Sequence, residues 1–267
     1  MSISVTASPP ASGLAVLDAS SMRVLAFDTS TDVLSVAVGA PIDGAYRTWA
    51  HSGEGGAQAS LTLIATVQDL LRQAGLRLQD LDAIGFGAGP GAFTGLRTAC
   101  AVAQGFALGA GLRVVPVPSL LALAEEARFH RQYAARGSDL TVVSLLDARM
   151  GEVYAGVYAW RARQWDTLRP PCLISPAQAA SWLAEMPADT VVAGNALTAY
   201  PELLGRCSGP ALPAIGPSAQ AIVRLAPAML AAVLAVDAAD ALPLYVRDKV
   251  AQTTLEREAA ARVKRDA

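Results

Sequence analysis

The sequence predicts an α/β fold of two similar layered lobes, and three observations carry that reading. Short apolar runs of strand length alternate with apolar residues at helical spacing. Each half opens with a strand, an aspartate, a polar turn and a returning strand. That order recurs roughly 110–120 residues apart, followed in both halves by a helix and a strand ending in glycine. The 267 residues suit one large domain or two small ones. With 53% apolar and 16% charged residues the chain has material for a core and lacks the composition of a disordered protein.

In chain order, Arg23-Val-Leu-Ala-Phe-Asp28 reads as a strand, Asp28-Thr-Ser-Thr-Asp32 as its turn, and Val33 to Gly39 as the return. Tyr46 to His51 adds a third strand, broken by Gly53, Gly55 and Gly56. Leu61, Ile64, Val67, Leu70, Leu71 and Ala74 recur at helical spacing until Gly75. Leu81 to Phe86 is a strand that runs into a glycine-rich turn, and a helix follows from about Thr94 to Ala110. Val114 to Val117 is a strand, and Ser119 caps a helix through Ala127. Polar Arg128 to Gly137 reads as a linker. Leu140 to Asp147, the turn Ala148 to Glu152, and Val153 to Trp160 repeat the opening, with Thr190 to Ala193 entering Gly194. The expected division is a tail over 1–21, a first lobe over 22–127, a second over 128–250 and a charged helix or tail over 251–267.

Charge and cysteines narrow the function classes. A net charge of −2 argues against a stand-alone nucleic-acid binder. Three separated cysteines, Cys100, Cys172 and Cys207, suit a reducing compartment and buried thiols better than a disulfide framework. No apolar run is long enough to span a membrane; Ala219 to Ala239 carries Arg224, Pro227 and Asp237 and reads as a buried helix. Residues 1–21 hold no Lys or Arg, so they do not read as a signal peptide, and Met22 is a candidate start.

An aspartate in the first turn of each lobe is the layout of actin-like ATPases and sugar kinases, where those turns approach phosphate and metal. Asp28 and Asp147 would then face a common cleft; alternatively, each simply caps its turn. The segment with Gly87, Gly89, Gly91 and Gly95 could bind an anion at a helix N-terminus. Equally, its glycines could permit close packing. It lacks the Gly-Lys-Ser/Thr of a Walker loop. No acid between Asp82 and Glu125 is available to hold a ribose, so a dinucleotide fold is disfavoured. Asp28, Thr29, Gly89, Gly91, Thr94, Asp147 and Arg149 are the candidates for a nucleotide or phosphate contact. Met150 is bulky and Glu152 repels phosphate, so the second turn is ill-suited to cradle ATP alone. Two histidines, His51 and His130, make no zinc motif, and no metal site is assigned.

The helix at Gly95 to Ala110 carries Arg97 as its one charge, and Gln58 to Leu71 carries only Asp69. A solvated helix ordinarily has a charged face, so the helix at Gly95 to Ala110 reads as buried all round or as covered by a partner on one side, and the neighbouring pair is a candidate partner surface.

Four blocks in order resemble the TsaB family: Met22-Arg-Val-Leu-Ala-Phe-Asp-Thr-Ser-Thr31, Gly89-Pro-Gly-Ala-Phe-Thr-Gly-Leu-Arg97, Asp147-Ala-Arg-Met-Gly-Glu-Val-Tyr154 and Pro243-Leu-Tyr-Val-Arg-Asp-Lys-Val-Ala251. They span nearly the whole chain after Met22. The resemblance implies a two-lobed actin-like ATPase fold, a duplicated ribonuclease H-like unit. It implies a non-catalytic cytoplasmic subunit that helps make N6-threonylcarbamoyladenosine beside the tRNA anticodon. The implied partners are a TsaD-like catalytic subunit, a TsaE-like ATPase, and tRNA met through the complex. A homodimer of the isolated chain is open. No cofactor of its own is implied, and ATP or ADP could sit at the subunit junction. The family pairs through its two first-lobe helices, which points here to Leu61, Ile64, Gln68, Leu71, Arg97, Ala101, Gln104 and Leu108. TsaB proteins lack the metal-binding histidines of TsaD, and Ala57 to Ala74 contains none. The alternatives are a small-molecule kinase using Asp28 and Asp147 with magnesium-ATP, and a metalloprotease, which two histidines disfavour.

Overall fold

The computed structural model describes residues 14–15, 22–56, 59–130 and 139–247, with the backbone alone at 14, 15 and 60. The first part of the chain forms β1 (Leu14–Ala15), β2 (Val24–Asp28), β3 (Val33–Ile42), β4 (Ala45–Glu54), α1 (Ala59–Ala74), β5 (Ala83–Gly89), α2 (Phe93–Ala110), β6 (Arg113–Pro118) and α3 (Ser119–Phe129). The remainder forms β7 (Leu140–Asp147), β8 (Val153–Arg161), β9 (Gln164–Ile174), α4 (Pro176–Glu185), β10 (Val191–Ala193), α5 (Ala196–Ala199), β11 (Ala211–Leu212) and α6 (Ala219–Ala231).

The first sheet has the order β4-β3-β2-β5-β6. β2 pairs antiparallel with β3 and parallel with β5. The second sheet runs β1-β9-β8-β7-β10-β11, with β7 antiparallel to β8 and parallel to β10, and apart from the short edge strand β1 it repeats the first. One ordering thus occurs twice, which is the duplicated ribonuclease H-like unit of actin-like proteins. β2 and β5 are buried along their whole length, as parallel strands covered on both faces must be. The β3–β4 hairpin closes on Asp43-Gly44, both at positive φ, the two-residue turn whose twist matches the strands.

Helices α1 and α2 cover the outer face of the first sheet around Leu25, Phe27, Val36, Leu63, Ile84 and Ala103. α4 and α5 do the same for the second sheet around Val143, Leu145, Val157 and Leu183. Between the sheets, α3 and α6 pack on each other inside one shared core. Their junction holds Glu125, 1% exposed. It accepts from Arg128 Nε and Nη2 at 2.8 Å, from Arg224 Nε at 2.8 Å and from the Trp165 indole at 3.0 Å. Four donors on one buried carboxylate offset its desolvation and join α3, α6 and β9.

Several expectations are corrected. Ser119 does not cap α3: Pro118 holds the cap position, and the Ser119 hydroxyl points back toward Asp28. Arg128 and Phe129 belong to α3 rather than to a linker, and 131–138 lie outside the described residues. β4 runs through Gly53 to Glu54, paired along its length with β3. α6 ends at Ala231, well short of Ala239. Leu14–Ala15, expected outside the fold, pair antiparallel with Gln164 and Trp165. α6, expected with the second lobe, packs against the first-lobe sheet, and the segment after it reaches both lobes. The charged run at 251–267 lies outside the described residues.

Candidate functional site

Asp28 ends β2 and is buried. The Ser30 amide and hydroxyl donate to its Oδ1 at 2.8 and 2.6 Å, and the Ser119 hydroxyl donates to Oδ2 at 3.4 Å. Burial pushes this carboxyl above its usual range, against the opposing pull of those hydrogen bonds. Gly87 lies directly beneath: a Cβ there would stand 1.8 Å from Asp28 Oδ2. Asp28 therefore does not face the cleft as expected; it orders the turn that carries Ser30.

The loop after β2 closes on the start of α2. The Ala92 amide donates to the Ser30 carbonyl at 2.7 Å, and the Thr29 hydroxyl donates to the Gly95 carbonyl at 2.7 Å. A Cβ on Gly95 would stand 1.8 Å from the Thr29 carbonyl oxygen. Of the two readings of the glycine segment, close packing is the one the geometry displays. Thr29 is buried, and Gly89 ends β5 at φ +115°.

Asp147 is the counterpart at the end of β7 and does reach the cleft. The Arg149 amide donates to its Oδ1 at 2.9 Å and the Tyr200 hydroxyl does so at 3.2 Å. Arg149 Nη1 lies 3.3 Å from Asp147 Oδ2, and its Nη2 donates to Asp32 of the first lobe at 2.6 Å. One guanidinium thus joins both lobes across the cleft mouth. Arg149, Met150 and Gly151 all adopt positive φ, an unusual run for two residues with side chains.

The cleft encloses a cavity of about 220 Å³ lined by Ser30, Gly91, Asp147, Arg149, Tyr154 and Arg247 among others. That lies below the roughly 300–1,000 Å³ of ordinary ligand pockets. Of the phosphate candidates, Gly91, Asp147 and Arg149 line it, while Asp28, Thr29, Gly89 and Thr94 do not. Arg247, not singled out from the sequence, donates to the Ala148 carbonyl at 3.0 Å and pairs with Glu152. It lay within the fourth family-like block, which was the available signal.

The outer helices give a different surface. Leu61 is 74% exposed and Leu108 81%, with Ile64, Gln68, Arg97 and Ala101 also exposed. Two of the expected partner residues are otherwise engaged. Leu71 is buried in the core beneath α1, and the Gln104 amide donates to the Ala241 carbonyl at 3.0 Å. Position 71 continues the apolar stripe that seats α1 on its sheet, and Gln104 faces the C-terminal segment rather than a free surface.

The repeated sheet order and facing turns define a two-lobed protein of the actin-like ATPase class. The profile of the family described as "TsaD: tRNA N6-adenosine threonylcarbamoyltransferase" matches residues 56–257. The tRNA threonylcarbamoyladenosine biosynthesis protein TsaB of Escherichia coli K12 is 33% identical over 239 residues, 86% of this chain and 96% of that protein. The protein of the same name from Haemophilus influenzae is 36% identical over 172 residues, 61% of this chain and 68% of that one. The solved YeaZ structure from Pseudomonas aeruginosa superimposes with a TM-score of 0.69 at 31% identity, covering 84% of this chain and 99% of that one. The chain belongs to the TsaB family.

Proposed function

We propose that this chain is a non-catalytic subunit that binds and activates a TsaD-like threonylcarbamoyltransferase acting on tRNA. A part in tRNA threonylcarbamoyladenosine biosynthesis follows from family membership; the division of labour is our reading. The carrying observation is the apolar exposure of α1 and α2, where Leu61, Ile64, Ala101 and Leu108 face outward. Two such helices pack naturally against a second pair as a four-helix bundle. The cleft supports the same reading, because the carboxylates in and around it are already engaged. Asp28 is buried, Asp32 and Asp147 pair with Arg149, and Glu152 pairs with Arg247. In this reading the chain works in the cytoplasm, a TsaE-like ATPase joins the assembly, tRNA is met through the complex, and ATP or ADP sits at the subunit junction.

The test mixes the purified chain with its cognate TsaD-like subunit in size-exclusion chromatography with mass measurement, with and without ATP. A one-to-one heterodimer and no ATP turnover by this chain alone are expected. Saturable ATP binding by the isolated chain without association would instead favour the kinase. The double variant Ala101→Glu, Leu108→Glu should weaken pairing at least about 100-fold, because it buries two unpaired charges. Unchanged pairing would rule out the helix surface.

A further inference from the structure

Residues 235–247 are fastened to both lobes. At the first-lobe end Val236 bridges Val114, and the Ala241 carbonyl accepts from Cys100 Sγ and Gln104 Nε2 at 3.2 and 3.0 Å. The Leu244 amide donates to the Ala88 carbonyl at 2.7 Å. The Tyr245 ring lies 5.3 Å from that of Phe93, and its hydroxyl accepts from Arg97 Nε at 3.2 Å. Arg97 itself stacks over Phe93 at 3.8 Å. At the second-lobe end Arg247, with a side chain 16% exposed, holds the Ala148 carbonyl and the Glu152 carboxylate. Residues 244–247 line the cleft cavity between these two anchors.

We infer that residues 235–247 are a tie coupling α2 to the turn at 148–152, so that the seating of α2 and the opening of the interlobe cleft form one equilibrium. The turn is closed by its own bonds, Ala148 amide to Glu152 carbonyl at 3.0 Å and Glu152 amide to Arg149 carbonyl at 3.1 Å, and is supported further from outside. Arg149 and Met150 sit at φ 60° and 56°, a conformation that costs side-chain-bearing residues energy unless their surroundings hold it. Arg247 supplies that support through two charge-assisted bonds, little screened because the side chain is largely buried. The opposite anchor includes Arg97, which is exposed on the face proposed for docking. The link to docking rests on that proposed surface. A partner that engages Arg97 competes with Tyr245 for it. Through the tie it then changes the support of the 148–152 turn, and by linkage the turn changes the partner's affinity equally.

Hydrogen exchange on the full chain tests the tie. Arg97→Ala and Tyr245→Ala remove the part of the α2 anchor nearest the cleft, leaving the Cys100 and Gln104 contacts to Ala241, without altering any group that bonds the turn. Both should speed exchange of the 148–152 amides at least about tenfold, as Arg247→Ala does directly. The β2 amides serve as the reference for global stability. Tyr245→Phe keeps the ring, drops the hydroxyl, and gives the smaller effect should the alanine variants unfold. Faster exchange confined to 93–97 and 245, with 148–152 unchanged, overturns the tie. Affinity for the TsaD-like subunit separates the rest. Arg247→Ala lies off the docking face and should shift affinity at least threefold. Equal affinities overturn the coupling to docking, whereas failure of the wild type to pair overturns the docking surface and leaves the exchange result to decide the tie.

Discussion

Replacing Gly95 by alanine places one methyl group where α2 meets the loop after β2. The new Cβ would lie 1.8 Å from the Thr29 carbonyl oxygen, where ordinary contact begins at 3.4 Å. The loop must therefore retreat by about 1.6 Å, which stretches any hydrogen bond across the contact beyond useful length. Two such bonds, Thr29 Oγ1 to the Gly95 carbonyl and the Ala92 amide to the Ser30 carbonyl, are both 2.7 Å long. Their loss costs about 2 kcal/mol, and overpacking costs about 1–3 kcal/mol more. The better helix propensity of alanine returns about 1 kcal/mol. The net expectation is about 2–4 kcal/mol of destabilisation. Gly105 on the same helix has nothing within 4 Å of a built Cβ, so Gly105→Ala should stabilise by about 0.5–1 kcal/mol. Urea unfolding followed by tryptophan fluorescence measures both. A Gly95→Ala protein within about 0.5 kcal/mol of wild type, or a Gly105→Ala protein equally damaged, would refute the packing argument. An anion cradle at this turn predicts a different pattern, in which Gly95→Ala loses ligand and spares the fold.

Asp28→Asn should stabilise the protein at neutral pH. The raised pKa of Asp28 means that the folded state favours the protonated form. That contribution is complete below the unfolded value of 3.8 and is lost as pH rises through the folded value. The advantage of the asparagine variant should thus shrink from pH 8 toward pH 4 in urea titrations, and a constant gap would contradict the assignment. Glu125→Leu leaves Arg128, Arg224 and the Trp165 indole without their shared carboxylate. It should cost about 3–5 kcal/mol by denaturant midpoint; a loss below about 1 kcal/mol would show that the α3–α6 junction does not depend on this charge. Arg149→Ala removes an exposed bridge to Asp32 and should lower stability by less than about 1 kcal/mol in the same assay. A larger loss would mean that the bridge holds the lobes together.

Strands whose residues face a core on both sides were legible in the sequence, because runs such as Val24 to Asp28 and Leu140 to Asp147 need only be apolar. β9 was not, because Pro170 and Pro171 argue against a strand. They are tolerated where β8 and β9 slip register around Gly156, a displacement that depends on the partner strand. α4, expected in the second half without bounds, carries a readable start, Ser175-Pro-Ala-Gln178, in which the Ser175 hydroxyl accepts from the Gln178 amide. At the site, residue type identified Asp147 and Arg149, while the inward turn of Asp28 needs the space left by Gly87 on the neighbouring strand, which no local pattern around Asp28 reveals. The role of Arg247 likewise arises from contacts 95 to 99 residues distant in sequence. Leu71 and Gln104 are not separable from the exposed positions by spacing alone, because helical periodicity gives a stripe without saying which stripe the sheet and the C-terminal segment occupy.

The placement of α6 has a consequence for biosynthesis. The inner face of the first sheet, with Val24, Ala26, Ala37, Ala83, Val115 and Val117, is walled by a helix at 219–231. Roughly 100 residues separate Pro118 from Ala219, about 5–20 s of ribosomal elongation. For that interval a nearly finished sheet emerges with one apolar side open to water, and it cannot mature until the end of the chain returns to it.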